Sequence, residues 1–146
     1  MRKDIPYVPS LPERIETIFQ LIEVNPFQKS LDLGAGDGRV VIEFARRSLA
    51  AIGLEIDPNL VKLANKNIKD AGLERRAQVF EKDFWDEDFS KYNVITIYGI
   101  HNIMKRLEEK FEKELKPGTI VVSNGFRLPY WEPIKKKKFV YVYNKI

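Results

Sequence analysis

The segment Ser30-Leu-Asp-Leu-Gly-Ala-Gly-Asp-Gly-Arg39 sets glycines at alternate positions between a short apolar run and Val41, Phe44 and Ala45, which carry helical spacing. A strand, a glycine loop and a helix follow one another. Glycine lets the main chain turn through positive φ and approach a ligand, and the helix N-terminus beyond it offers free N–H groups to a carboxylate or phosphate. A dinucleotide fingerprint of the G-x-G-x-x-G type would need glycine at position 39, where this chain has Arg39, so the loop reads G-x-G-x-G over Gly34, Gly36 and Gly38. Residues 51–55 form a second apolar strand. Asp57-Pro58 then opens another helix, with Asp57 as N-cap, proline at the first helical position, and Leu60, Leu63, Ala64, Ile68 and Ala71 expected inward until Gly72.

The same alternation continues along the chain. Strands are expected at 77–81, 94–98 and 119–123, with a helix carrying Met104, Leu107, Phe111 and Leu115 that stops at Lys116-Pro117-Gly118. Ahead of the glycine loop, Ser10 and Glu13 form a capping box, and Ile15, Ile18, Phe19 and Ile22 make one apolar helix face running to Asn25-Pro26. This predicts an α/β fold: a doubly wound, mostly parallel sheet, Rossmann-like, whose ligands sit at the carboxyl ends of the strands. A single domain is expected over residues 1–146, with an N-terminal segment and helix at 1–26 and the sheet core at 27–146. Residues 139–144 read as strand, and Trp131-Glu-Pro-Ile-Lys-Lys-Lys-Lys138, with no clear turn before that strand, fits either an edge strand with a bend or an ordered loop.

Composition removes several chemistries. The chain has no cysteine, hence no disulfide, thiolate metal site or cysteine nucleophile, and its lone histidine, His101, rules out a multi-histidine metal site. No bound metal is expected. The formal charge of +4 is uneven: residues 133–146 hold five lysines and no acid, while residues 1–132 carry 20 basic and 21 acidic side chains. A nearly neutral body argues against a broad nucleic-acid face, and leaves Lys135 to Lys138 as a local basic run. No apolar run approaches the ~20 residues of a membrane span, and Met1-Arg-Lys-Asp-Ile-Pro lacks the apolar stretch of a secretion signal, so a cytoplasmic location is expected.

Two acids join the glycine loop as candidate ligand-binding groups. Glu55 ends the second strand 19 residues after Gly36, where a carboxylate accepts both hydroxyls of a ribose. Asp83 follows the third strand beside Phe84, placed to accept from an adenine amino group while the ring packs on the base. Unphosphorylated ribose and adenine together point to an adenosyl ligand.

These residues also carry a family resemblance. Leu31-Asp-Leu-Gly-Ala-Gly-Asp-Gly resembles the first motif of class I S-adenosylmethionine-dependent methyltransferases, Gly53-Leu-Glu-Ile-Asp-Pro the second and Lys82-Asp83-Phe84 the third. The resemblance implies a seven-stranded fold, or a version trimmed at its C-terminal strands, with S-adenosyl-L-methionine as cofactor. It implies that Asp32, Gly34 and Gly36, in the loop that includes Asp37, hold the methionine end, Glu55 the ribose, Ile56 an adenine face and Asp83 the adenine amino group. A narrower resemblance, on Pro6-Tyr-Val-Pro-Ser, Asp37-Gly-Arg-Val-Val-Ile, residues 94–98, residues 113–123, Phe126 and Trp131-Glu-Pro, is to small archaeal and mitochondrial protein-lysine methyltransferases. That group includes the enzymes acting on the ATP synthase c-subunit and the adenine nucleotide translocase. The chain departs from it at Gly99-Ile-His-Asn-Ile-Met104, where the group tends to have Leu-Leu-Pro-x-Val-Asn, and at Asn124-Gly-Phe126, where it tends to have His-Asp/Glu-Phe.

The expected reaction is methyl transfer to the side-chain amine of protein lysines, an in-line displacement in which positioning supplies much of the rate. Tyr98, at the end of the fourth strand, is the first candidate for the acceptor channel, with Phe126, Tyr130 and Trp131 behind it. Core packing is the competing reading of Phe126 and Trp131. His101 and Asn102 are polar candidates for orienting the acceptor, and Tyr7 and Ser10 are candidates for a lid, Tyr7 as a cofactor contact. The candidate catalytic set is therefore Tyr98, Asn102 and Trp131. An RNA or small-molecule acceptor is the alternative, and a non-catalytic adenosyl-binding module the last.

Overall fold

The computed structural model describes residues 12–47 and 50–146; Tyr7 and Ser10, and with Ser10 the capping box, lie outside the described residues. Helix α1 (Pro12–Leu21) buries Ile15 and Ile18. It ends four residues before the expected stop at Asn25, and the chain beyond it turns on side-chain bonds, with Phe27 N donating to Asn25 Oδ1 at 2.8 Å and Asn25 N to Gln28 Oε1 at 2.9 Å.

The doubly wound sheet expected from the alternation is the one observed. Strands β1 (Lys29–Leu33), β2 (Ala50–Glu55), β3 (Ala77–Glu81), β4 (Val94–Tyr98) and β5 (Ile120–Asn124) are mutually parallel, with α2 (Arg39–Ala45), α3 (Pro58–Asp70) and α4 (Met104–Glu114) in their connections. Two further strands, β6 (Lys135–Lys137) and β7 (Val140–Asn144), form an antiparallel hairpin, and β7 also runs antiparallel to β5. Among the described residues the order across the sheet is β3-β2-β1-β4-β5-β7-β6. All seven strands implied by the resemblance are present, and trimming is confined to β6, which is three residues long. The hairpin turn is at Lys138, with a φ of 55°, so of the two readings of residues 131–138 the edge strand is the one observed, over Lys135–Lys137, with β7 as the second strand.

Alternation along each strand sends side chains to two cores. Leu31, Leu33, Ile95, Ile97 and Val121 meet Leu107 and Phe111 of α4, the latter two fully buried, each contributing about 1.5–3 kcal/mol. On the other face, Val41 and Phe44 of α2 and Ala64 and Ile68 of α3 cover Ala51, Val79 and Val94. A smaller cluster joins Ile18 of α1 to Val122 of β5 and Val140 and Val142 of β7. The inward stripe expected on α3 is narrower than the sequence suggests. Only Ala64 and Ile68 are buried, with Val61 against the core, whereas Leu63 is 42% exposed and Ala71 lies at the surface. Asn65 occupies part of that face instead, its amide exchanging two hydrogen bonds with the Val79 backbone of β3.

Candidate active site

The carboxyl ends of β2, β1, β4 and β5 each place a polar side chain on the α1/α2 face of the sheet. The glycine loop leaves β1 with φ of 73°, 57° and 87° at Gly34, Gly36 and Gly38, a region open to glycine at little cost. It descends onto β2 at Gly53, where an added Cβ would meet Ala35 Cβ at 2.6 Å and Val41 Cγ2 at 2.8 Å. The loop is tied down from the side as well. Gly36 N donates to Glu55 Oε1 and Asp57 N to Glu55 Oε2, both at 2.9 Å.

Glu55 is 9% exposed and stands at the end of β2. A carboxylate oxygen accepts two hydrogen bonds, so each Glu55 oxygen keeps one acceptor position beyond its backbone partner, and the pair fits the vicinal hydroxyls of a ribose. Asp57 caps α3 as expected, accepting from Asn59 N at 2.9 Å. Ile56 between them is half-buried. Asp83, at the end of β3, caps a 3-10 turn (Phe84–Asp86) by accepting from Trp85 N at 3.0 Å through Oδ1. Its other oxygen suits an amino group.

Asp32 is the buried acid of the site. It pairs in register with Thr96 of β4, whose Oγ1 donates to Asp32 Oδ1 at 2.8 Å. Burial pushes its carboxyl up to about 7, the Thr96 bond opposes that rise, and the negative charges of Glu55 and Asp37 add to it. A cationic group brought beside Asp32 would favour the ionised form. Asp37 turns its carboxylate onto Arg39, with Nη2 at 2.7 Å, and its carbonyl accepts from Asn67 Nδ2 at 3.0 Å, so the side chain braces the loop.

Tyr98 ends β4 two residues beyond Thr96 and therefore on the same face as Asp32; it is half-buried. Its register partner on β5 is Asn124. Asn124 is 3% exposed, its Oδ1 accepts from Arg14 Nη1 of α1 at 3.0 Å, and its Nδ2 has no hydrogen-bond partner among the described residues. Arg14 also lies over the Phe139 ring, 5.2 Å from its centroid. Neither Asn124 nor Arg14 belongs to the sequence-derived set. The departure at Asn124-Gly-Phe126 was the available signal for the first, and nothing in the spacing of α1 marks the second.

Other candidates lie elsewhere. Trp131 is corrected from a catalytic to a packing role: its N donates to Glu108 Oε2 at 2.8 Å, its Nε1 to Glu112 Oε2 at 3.0 Å, and Lys145 Nζ lies 5.8 Å from the ring centroid. Lys145 bonds to Thr119 at the amino end of β5, the opposite end from Tyr98 and Asn124. Phe84 departs from the expected base contact, because the 3-10 turn directs its ring into the α4-side core at 7% exposure. His101 and Asn102 are exposed in a 3-10 turn (His101–Ile103) leading into α4. The His101 ring lies 6.0 Å from Phe126, and both line a groove of about 630 Å³ with Met104 and Leu128. Tyr130 is 76% exposed.

Comparison with known proteins agrees with this geometry. Residues 32–135 match the ANTKMT methyltransferase domain family. A protein-lysine N-methyltransferase of Saccharolobus islandicus (strain REY15A) is 35% identical over 131 residues, 88% of this chain and 81% of the relative. The adenine nucleotide translocase lysine N-methyltransferase of Mus musculus is 33% identical over 135 residues, 92% of this chain and 58% of the relative. Among solved structures, an RNA methyltransferase from Salinibacter ruber in complex with S-adenosyl-L-homocysteine superposes with a TM-score of 0.89 at 34% identity, covering 94% of this chain and 93% of that one. A match over most of the chain, together with a ribose-type carboxylate and glycine loop at the ends of β2 and β1, places the chain in the ANTKMT methyltransferase domain family, as an S-adenosyl-L-methionine-dependent methyltransferase.

Proposed function

We propose that the chain transfers methyl groups to the side-chain amine of lysines in proteins. The observation that carries this reading is the 35% identity to a protein-lysine N-methyltransferase over 88% of this chain. The geometry is consistent with it: the nucleotide-binding groups stand on β1 to β3, and β4 presents an aromatic side chain where the acceptor would arrive.

When bound, the cofactor supplies an electrophilic methyl on a sulfonium, and the chain's own residues hold and orient both partners. Glu55 accepts from the ribose hydroxyls while bracing Gly36, so the loop and the ribose share one anchor. Asp32, hydrogen-bonded to Thr96, supplies a carboxylate at the end of β1 suited to the cofactor's cationic end. Tyr98 walls the channel, excludes water from the amine and presents an electron-rich ring to the methylated cation. The lysine must react as the free base. With an ordinary value near ~10.4, losing the proton at neutral pH costs roughly 4–5 kcal/mol, which an apolar channel lowers by disfavouring the ammonium.

RNA as acceptor is the second reading, favoured by the Salinibacter ruber relative and by the position of the basic hairpin. Its turn at Lys138 adjoins the end of β5, since Gly125 N donates to Phe139 O at 2.7 Å. Within the hairpin, however, Lys135 Nζ bonds to Leu21 O, Lys137 Nζ to Gln20, and Lys136 lies over the Tyr141 ring, so these lysines serve the fold. The deciding experiment supplies methyl-labelled cofactor with separate protein, RNA and metabolite pools. Label on protein, recovered as methyl-lysine after hydrolysis, supports the proposal; label confined to RNA refutes it.

A further inference from the structure

The Asn124 amide sits in an arrangement that the cofactor-binding groups do not explain. Its Oδ1 is fixed by Arg14 Nη1, a group that only donates, so the amide cannot be flipped and Nδ2 faces away from the guanidinium. That Nδ2 is buried and has no partner among the described residues, an arrangement that lowers stability unless a ligand supplies the missing acceptor.

Strand order indicates which ligand. The glycine loop, Glu55 and Asp83 stand at the ends of β1, β2 and β3, while β5 lies two strands from β1 in the other direction, about 10 Å away at the usual strand spacing. Asn124 is the register partner of Tyr98, the residue nearest the incoming acceptor in the proposed reaction. An Nδ2 group has only hydrogens to offer, so its partner must carry a lone pair. The lysine amine directs its one lone pair at the methyl carbon, and the groups suited to the cofactor stand on β1 to β3, so an oxygen of the acceptor chain is the partner that the strand order favours.

We propose that Asn124 is an acceptor-binding residue, its Nδ2 donating a hydrogen bond to a backbone carbonyl oxygen of the polypeptide beside the methylated lysine while Arg14 holds the amide in that orientation. This rests on the lysine reading above. It makes the end of β5 a specificity element that demands a peptide carbonyl rather than a bare amine.

Asn124→Asp tests it, because Asp keeps an acceptor for Arg14 and replaces the donor with a second, negatively charged acceptor oxygen. Its negative charge would attract a lysine, so a weaker acceptor interaction would run against simple electrostatics. With the peptide acetyl-Ala-Ala-Lys-Ala-Ala-amide, the variant is expected to raise the acceptor KM by about tenfold or more, while calorimetric affinity for S-adenosylhomocysteine changes by less than about twofold. Asn124→Ser, which retains an O–H donor, is expected to stay closer to wild type than Asn124→Leu, and this pair decides the matter if the Asp variant fails to fold. An unchanged KM in the Asp and Leu variants overturns the assignment, as does an equal loss of cofactor affinity, which would put Nδ2 on the cofactor. Absence of methyl-lysine from wild-type enzyme on any protein or peptide overturns the lysine reading itself, and the assignment with it.

Discussion

Replacing Asp32 with asparagine is expected to stabilise the cofactor-free protein at pH 8 and to leave its stability nearly unchanged at pH 4. The Asp32 carboxyl is held at about 7 in the folded chain, chiefly by burial, against an ordinary value of ~3.9 when unfolded. Below about pH 4 the group is neutral in both states and contributes no difference. Between about pH 4 and pH 7 the native state keeps a proton that the unfolded chain has lost, so stability falls as pH rises through that window. A shift of about three units corresponds to roughly 4 kcal/mol as an upper bound, since each unit is ~1.36 kcal/mol. Asparagine removes the charge and retains an oxygen to accept from Thr96 Oγ1, now 2.8 Å from Asp32 Oδ1. A gain of about 2–4 kcal/mol is therefore expected at pH 8, read by urea denaturation of both proteins across the range. A difference between the two that does not vary with pH, or an asparagine variant less stable at pH 8, would refute the reasoning.

Glu55→Gln turns an amide N–H₂ toward either Gly36 N or Asp57 N, a donor against a donor, and should weaken S-adenosylhomocysteine binding by about 1–3 kcal/mol in calorimetry. Tyr98→Phe keeps the channel wall and removes the hydroxyl: retained turnover is expected, and a lost turnover with intact cofactor affinity would assign the hydroxyl a role in holding the amine. Trp131→Phe loses the bond to Glu112 and should lower the melting temperature while leaving kcat unchanged within about twofold, measured by thermal denaturation and initial rates. Changing Lys135 to Lys138 together to serine should leave a neutral peptide acceptor unaffected; a steep salt dependence on RNA that vanishes in this variant would support the RNA reading instead.

The local geometry of the glycine loop and the α3 cap was legible because its signals are local. Three glycines before a helix and an Asp-Pro cap act within a few residues, and the structure shows the positive φ of the first and the cap of the second, while the acid at the end of β2 is legible from its fixed spacing to the loop it braces. The acceptor half depends on contacts far apart in the chain. Arg14 meets Asn124 across 110 residues, and no periodicity in α1 marks which polar residue will reach the sheet. The hairpin turn escaped notice for a related reason, since Lys138 takes a positive φ without the glycine or asparagine that normally announces one. Trp131 misled in the opposite sense: an aromatic close in sequence to the fifth strand was drawn by Glu108 and Glu112 to the far end of α4.

The three packing clusters meet the carboxyl edge at different places. Below the glycine loop and Glu55 lie α2 and α3, whereas Arg14 and Asn124 stand on the small cluster of Ile18, Val122, Val140 and Val142. The supports are unequal rather than separate, because α1 reaches the α2 side through Ile15 and Phe19 and β7 reaches the α4 side through Tyr141 and Tyr143, while the Ile18 cluster is the small one under Asn124. A cavity opened at Ile18 would blur discrimination among acceptors before it disturbed the nucleotide.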